Sequence, residues 1–233
     1  MDRLAETREL LDGPLEPRTL AGNLRDLSRI NRWLGGASLS WRALVRVRQI
    51  EPVVDRLTLL DVGTGAADIP RALLRRAGAR RLELEVTATD VRPQIVDLAR
   101  DLSSGMPNLT IALADGDRLA HPDAAFDVVH SSLLMHHLEP DQVVALLVEM
   151  RRVARRGVIV NDLDRARRWW FVAWLLTRLA TANRYTRHDA PMSVRRAYRP
   201  QELVALAHRA GLHEVARLHT RPAHRYALVL VAG

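Results

Sequence analysis

The sequence contains no cysteine, which excludes disulfides, thiolate metal sites and a cysteine nucleophile together. It contains no lysine either, so every one of its 35 basic side chains is an arginine, a usage that points to a GC-rich coding sequence as much as to a selected surface. Aromatic residues are scarce, at 4% of the chain. No apolar run approaches the ~20 residues that a membrane-spanning helix requires, and residues 1–20 show no charged-then-apolar leader. These absences predict a soluble, cytoplasmic chain without a metal centre.

What remains is a globular composition: 233 residues, 48% hydrophobic and 27% charged, enough for one generous domain with a real core. The net charge of +8 raises the question of nucleic acid. The arginines form no regular stripe interleaved with aromatics, which argues against that partner.

Leu20, Leu24, Leu27, Ile30 and Leu34 recur at spacings of three or four, and the pattern resumes over 39–50 after Gly35-Gly36. Residues 1–56 therefore read as a helical N-terminal arm. From Leu57 onward, segments such as "RLTLLDV", "RLELEVTATDV", "NLTIALAD", "FDVVHSSLL" and "RGVIVNDL" alternate with helical stretches, which predicts a parallel sheet with right-handed crossovers over residues 57–233. Two closing strands, near "HEVARLHT" and "RYALVLVAG", have no helix between them and predict an antiparallel hairpin at the sheet edge. Residues 164–197 interrupt the alternation as a lid-like insertion, helical in "RRWWFVAWLLTRLATANRY" and loop-like in "TRHDAPMSVRRAYRP".

Asp61 closes the first strand, and Gly63, Thr64 and Gly65 follow where the chain must turn into a helix. Glycine tolerates the backbone angles of such a turn and lets a ligand approach the peptide. The third position of a dinucleotide fingerprint is Ala67, which disfavours a pyrophosphate. Asp90 ends the second strand, suited to ribose hydroxyls, and Asp115 with Gly116 follows the third, suited to an adenine edge. An adenosine without phosphate accounts for all three features.

Taken together, "LLDVGTGAADI", "ATDV", "LADGDRLAHPDAAFDVVHSSLLMHHL" and the terminal strand pair resemble class I S-adenosylmethionine-dependent methyltransferases, closely over 57–160 and loosely over 198–233. The resemblance implies an α/β, Rossmann-like fold of seven mostly parallel strands, with S-adenosyl-L-methionine as cofactor. It implies that Asp61, Gly63, Thr64 and Gly65 line the methionine end, Asp90 holds the ribose, Val91 flanks the adenine, and Asp115 and Gly116 meet its edge. A narrower likeness joins "RINRWLGGASLSWR" and "DVGTGAADI" to ubiquinone/menaquinone biosynthesis methyltransferases, with Asp68 at the last acidic position of their turn. It implies an arm over the cofactor, with Asn31 and Trp41 near the site. That family's tyrosine-rich segment after the fifth strand is replaced here by residues 164–197.

Methyl transfer is an in-line displacement that requires an aligned acceptor and, for a phenol or a phenolate-activated ring carbon, a base near neutral pH. Histidine suits that role. His136 and His137, after the fourth strand, are the leading candidates, with His137 preferred; His188 beside Asp189 is a further one, and His130 reads as a core histidine. Asn161 and Asp162 could hold an acceptor hydroxyl or cap a helix. Trp170 and Trp174 share a helix face and could cover a flat, greasy acceptor; with Arg165, Arg167 and Arg168 the same stretch suits a membrane surface or a second copy of the chain in a homodimer. The expected reaction is methylation, at oxygen or carbon, of a small phenolic or quinol-like aromatic in secondary or isoprenoid metabolism. An RNA methyltransferase and a non-catalytic cofactor-binding regulatory subunit are the alternatives.

Overall fold

The computed structural model describes residues 1–4, 33–50, 54–116, 118–181 and 183–233, together with 22, 24, 25, 28, 29 and 31. Leu20, Leu27 and Ile30 of the arm's periodic pattern lie outside the described residues. In chain order the elements are α1 (Gly36–Ile50), β1 (Arg56–Val62), α2 (Asp68–Gly78), β2 (Glu83–Asp90), α3 (Pro93–Leu102), β3 (Leu109–Leu113) and β4 (Phe126–Ser132). A single 3-10 turn (Met135–His137) leads to α4 (Pro140–Val153), β5 (Ala154–Leu163), α5 (Arg167–Ala180), α6 (Arg184–Arg196), α7 (Pro200–Arg209), β6 (Leu212–His219) and β7 (Arg225–Ala232).

The seven strands form one sheet in the order β3-β2-β1-β4-β5-β7-β6. The first five are parallel. β7 runs antiparallel to both β5 and β6, so the closing hairpin inserts its second strand and leaves β6 at the edge. Alternation along β1 explains why it is central: Leu57 and Leu59 enter one core with Leu39, Leu44, Val47, Ile69 and Leu73, while Leu60 and Val62 enter the other with Leu146, Met150 and Leu203. A strand covered on both faces has to be apolar on both, as parallel strands are. Proline sits in the first turn of α3, α4 and α7, where its missing N–H costs no helical hydrogen bond.

Two expectations change. Helix α1 does not stand apart from the sheet as an arm: its Leu39, Ala43, Leu44 and Val47, at successive steps of four, one and three, are buried against the sheet and complete one of the two cores. The segment expected to be a loop, "TRHDAPMSVRR", is helix α6 despite Pro191 in its interior. The Asn183 side chain accepts the Tyr185 N–H at its start, and burial of Thr186, Asp189, Pro191 and Val194 outweighs the local breaker signal.

The arm, the sheet and the closing hairpin meet at one buried guanidinium. Arg225, first residue of β7, is 1% exposed. Its Nε donates to Asn161 Oδ1 on β5 (3.2 Å), Nη1 to Asn31 Oδ1 in the arm (2.5 Å) and Nη2 to Ser132 Oγ on β4 (3.0 Å). Gly36 is glycine for this reason, since a Cβ there would stand 2.5 Å from Nη1. Asn161 donates to Gly36 O and to Ser40 Oγ (2.8 Å), and Ser40 meets His130 Nε2 (2.8 Å), whose Nδ1 is 2.5 Å from Asp61 Oδ1. Donor counting puts the His130 proton on Nδ1, directed at the carboxylate, with the Ser40 hydroxyl donating to Nε2. Burial lowers the Arg225 pKa to about 10, against the opposing pull of Asp162 and Asp68, so it stays cationic at neutral pH.

Replacing Arg225 with methionine leaves buried acceptors on Asn31, Asn161 and Ser132 without their donor. The expected loss is about 3 kcal/mol of unfolding free energy, read from the urea midpoint, with Arg225→Lys recovering only part because an ammonium does not span partners on two strands and the arm.

Candidate active site

The carboxyl ends of β1, β2, β3 and β4 open on a cavity of about 420 Å³ beside the point where the strand order reverses, the usual ligand crevice of an open α/β sheet. Asp61, Gly63, Thr64 and Gly65 line it from β1 and its turn, Asp90 and Val91 from β2, Asp115 and Gly116 from the end of β3, His137 from beyond β4, and Asn31 from the arm. Leu24, Asp68, Ile69, Ile95 and Leu134, which sequence reasoning did not assign to the site as ligand contacts, complete much of the wall.

The turn is built by its backbone. Gly63 and Gly65 have φ of 71° and 55°, and a Cβ on Gly63 would lie 2.9 Å from the Leu134 side chain. Thr64 N–H donates to Thr89 O, and Gly65 N–H donates to Asp90 Oδ2 (3.1 Å) while Arg92 N–H donates to Asp90 Oδ1 (3.1 Å). Asp90 thus ties two loops together, and each of its oxygens retains a lone pair for a ligand. Ala67 adopts φ 53° without being glycine; its methyl is buried against Ala88, Val96 and Ile111, facing the core and not the cavity.

The cavity is acidic. Among the described residues its lining has the carboxylates Asp61, Asp68, Asp90 and Asp115 against one arginine, Arg92. Asp68, in the first turn of α2, accepts from Asn31 Nδ2 (3.1 Å). Burial raises its pKa, in part offset by the Asn31 hydrogen bond and by the charges of Arg225 and Arg71.

The two adjacent histidines have their rings 4.3 Å apart but different surroundings. His137 faces the cavity. His136 is buried, its Nδ1 2.7 Å from Asp162 Oδ1 and its N–H directed at Oδ2 (3.3 Å), so its ring serves to anchor the turn. Burial alone would raise Asp162, but the charge and hydrogen bond of His136, the Leu163 N–H and Arg225 together hold it below the ordinary carboxylate value. Arg196 Nη2 donates to His137 O (2.7 Å), while Tyr198 Oη and Arg3 Nη2 donate to Leu138 O. Four side chains therefore fix the backbone that carries His137.

Other sequence candidates lie elsewhere. His188 does pair with Asp189 (2.8 Å), yet the pair is on α6, with the imidazole half-exposed and outside the cavity lining. Asn161 is fully buried in the Arg225 network and cannot reach an acceptor. Trp170 and Trp174 are on α5, away from the lining, and Trp41 is in the core with Arg80 over its ring at 5.2 Å. His130 is a core histidine. Arg225 was missed entirely, since one arginine ahead of an apolar strand looks like a solvated flank. No His/Asp/Glu cluster able to hold a metal occurs among the described residues, and no described helix is long and apolar enough to cross a membrane.

The strand order, with an antiparallel strand inserted beside β5, and the crevice at β1–β4 define the class I methyltransferase fold. Solved structures agree: a SAM dependent methyltransferase from Aquifex aeolicus superposes with a TM-score of 0.64 at 18% identity, covering 93% of this chain and 98% of that one. Human N-acetylserotonin methyltransferase, in complex with SAM, gives 0.64 at 15% identity over 94% of this chain and 57% of that one. More narrowly, residues 59–157 match the family described as a methyltransferase domain. Demethylmenaquinone methyltransferase of Deinococcus radiodurans is 36% identical over 103 residues, 43% of this chain and 40% of that protein. Ubiquinone/menaquinone biosynthesis C-methyltransferase UbiE of Cupriavidus metallidurans is 31% identical over 113 residues, 48% and 44% of the two chains. The matches to these relatives thus span less than half of their length, and the family match at 59–157 falls on the part of the chain that builds most of the cavity.

Because burial raises Asp68, the folded state holds a proton there that the unfolded chain has already lost, and this contribution to stability declines as pH rises above 3.8. Asp68→Asn is therefore expected to raise the urea midpoint at pH 7, with the difference from the parent shrinking as pH falls toward 3.8. Paired urea titrations at several pH values measure it, and a difference that does not vary with pH contradicts it.

Proposed function

We propose that this chain transfers a methyl group from S-adenosyl-L-methionine to oxygen or carbon of a small aromatic acceptor, phenolic or quinol-like. The observation that carries the reading is the acidic cavity: Asp61, Asp68, Asp90 and Asp115 around a glycine turn suit a cationic adenosyl sulfonium and repel a pyrophosphate. The residues present fit the cofactor. Asp90 would hold the ribose hydroxyls, Val91 and Ile95 the faces of the adenine, Asp115 and Gly116 its edge, and Asp61 with the Gly63–Gly65 backbone the methionine end. When bound, the cofactor supplies an electrophilic methyl group.

The remaining work falls to the chain. His137, on a turn anchored through Asp162, Arg196, Tyr198 and Arg3, removes the acceptor's hydroxyl proton as the acceptor becomes a nucleophile. Leu24, Leu134 and Leu138 exclude water around it and favour a flat apolar acceptor. Likeness to a demethylmenaquinone methyltransferase over 103 residues and to a ubiquinone/menaquinone biosynthesis C-methyltransferase over 113 supports the acceptor class.

Calorimetry with S-adenosylhomocysteine and with NAD tests the cofactor, the first expected to bind and the second not. With phenolic and quinol acceptors scored by a one-methyl mass gain, His137→Gln should lower kcat by roughly 100-fold while S-adenosylhomocysteine affinity stays within about two-fold. Turnover equal to the parent's would remove His137 from the mechanism.

A further inference from the structure

Helix α5 carries its apolar side outward. Phe171, Val172, Leu175, Leu176 and Leu179 are 54%, 37%, 39%, 43% and 77% exposed, while Thr177, on the opposite side of the helix, is the buried residue. Their spacing of one, three and four places them on one continuous face. Phe171 stacks on Trp174 (5.9 Å between ring centres), and Arg178 lies over the Trp174 ring at 4.2 Å, so the strip is edged by a cation. Five exposed large hydrophobics in nine residues form a patch that calls for an occupant.

The charges beside the patch indicate which one. Residues 165–188 contain six arginines and no Asp or Glu. At the N-terminal end of α5, Arg165, Arg167, Arg168, Arg199 and Arg217 line an open cleft of about 650 Å³ that contains one carboxylate, Asp164. Arg165 and Arg217 are committed to Glu202 and Glu214, whereas Arg167, Arg168 and Arg199 have no ion pair among the described residues. A second copy of the chain is a poor occupant: α5 has arginines at both ends, so a two-fold pairing of the strip in either direction sets guanidinium against guanidinium.

We propose that α5 is a docking surface for an anionic phospholipid bilayer. The Phe171–Leu179 strip enters the interfacial region, and Arg167, Arg168 and Arg199 at one end of the helix, with Arg178 at the other, meet lipid phosphates. α6 packs between α5 and the turn that carries His137, which puts the bilayer one helix away from the candidate base. The inference concerns a surface outside the cavity and does not depend on the proposed reaction.

The test is flotation of the whole chain with vesicles of phosphatidylcholine alone and of an equal mixture with phosphatidylglycerol. The expected result is at least ~10-fold stronger partitioning onto the mixed vesicles, weakened by salt and unaffected by millimolar inorganic phosphate. Two variants probe separate parts, Leu176→Glu with Leu179→Glu for the strip and Arg167→Gln with Arg168→Gln for the charge. Each should lower partitioning by about 10-fold while the far-ultraviolet circular dichroism and S-adenosylhomocysteine affinity stay those of the parent. Should the first pair fail to fold, the arginine pair decides. Equal partitioning of parent and variants, equal binding to both vesicle types, or a parent that ignores vesicles while light scattering shows a dimer lost on Leu179→Glu would each overturn the proposal.

Discussion

A guanidinium in a protein core has to find partners for its donors or the desolvation penalty goes uncompensated, and the fold is arranged around that requirement at Arg225. Its partners come from three places far apart in sequence: Asn31 before the first strand, Ser132 at the end of β4 and Asn161 near the end of β5. The closing hairpin therefore does more than extend the sheet. By inserting β7 against β5 it delivers a cation to the floor of the crevice, and Gly36 gives up its side chain to admit it.

From that centre two chains of hydrogen bonds reach the glycine turn from opposite sides. One runs through Asn161, Ser40 and His130 to Asp61, at the end of β1; the other through Asn31 to Asp68, at the start of α2. The residues between these two carboxylates are the turn itself. A site whose acidic groups are held from behind does not have to reorganise when a cationic ligand arrives, which is the condition for electrostatic preorganisation. Burial raises the Asp68 pKa against the Asn31 hydrogen bond and the Arg225 charge, which only partly offset it, so stability is given up in the lining of the cavity.

Much of the fold was legible because period and punctuation agree. The strands β1 to β5 alternate with helical segments, and Asp61, Asp90 and Asp115 stand at strand ends, where side chains face a crevice whatever the details of packing. What failed depended on partners distant in sequence. His137 is preferred from the sequence, but what decides between two histidines whose rings lie 4.3 Å apart in one 3-10 turn is Asp162, which arrives from β5 to hold His136. Asn161 is also at a strand end, but it is claimed by Arg225, whose role has no local signature. The α6 segment was misread because Pro191 and the Asp189-Ala190 pair signal a loop, whereas burial against α5 is invisible in the sequence. Ala67 was read as a missing glycine; it adopts the glycine-like angle while packing its methyl into the core.

Periodicity in α5 reveals a stripe but not the direction it faces, and that direction separates two electrostatic environments. The chain is net positive by eight charges, yet the cavity lining is dominated by carboxylates, so the excess arginine must lie outside it. The potentials do not cancel at a bound ligand, because screening in salt limits the reach of exposed charges to roughly 10 Å, while the buried carboxylates act at contact distance and low dielectric. A cationic cofactor in the crevice therefore responds to Asp61, Asp68 and Asp90, and an extended anionic surface responds to the arginines at the two ends of α5. With the apolar strip between those arginines turned outward, one chain presents an acidic interior to a small cation and a basic, greasy exterior to a phosphate-bearing plane. Neither property conflicts with the other, because about one helix of protein, α6, and the solvent's ions stand between them.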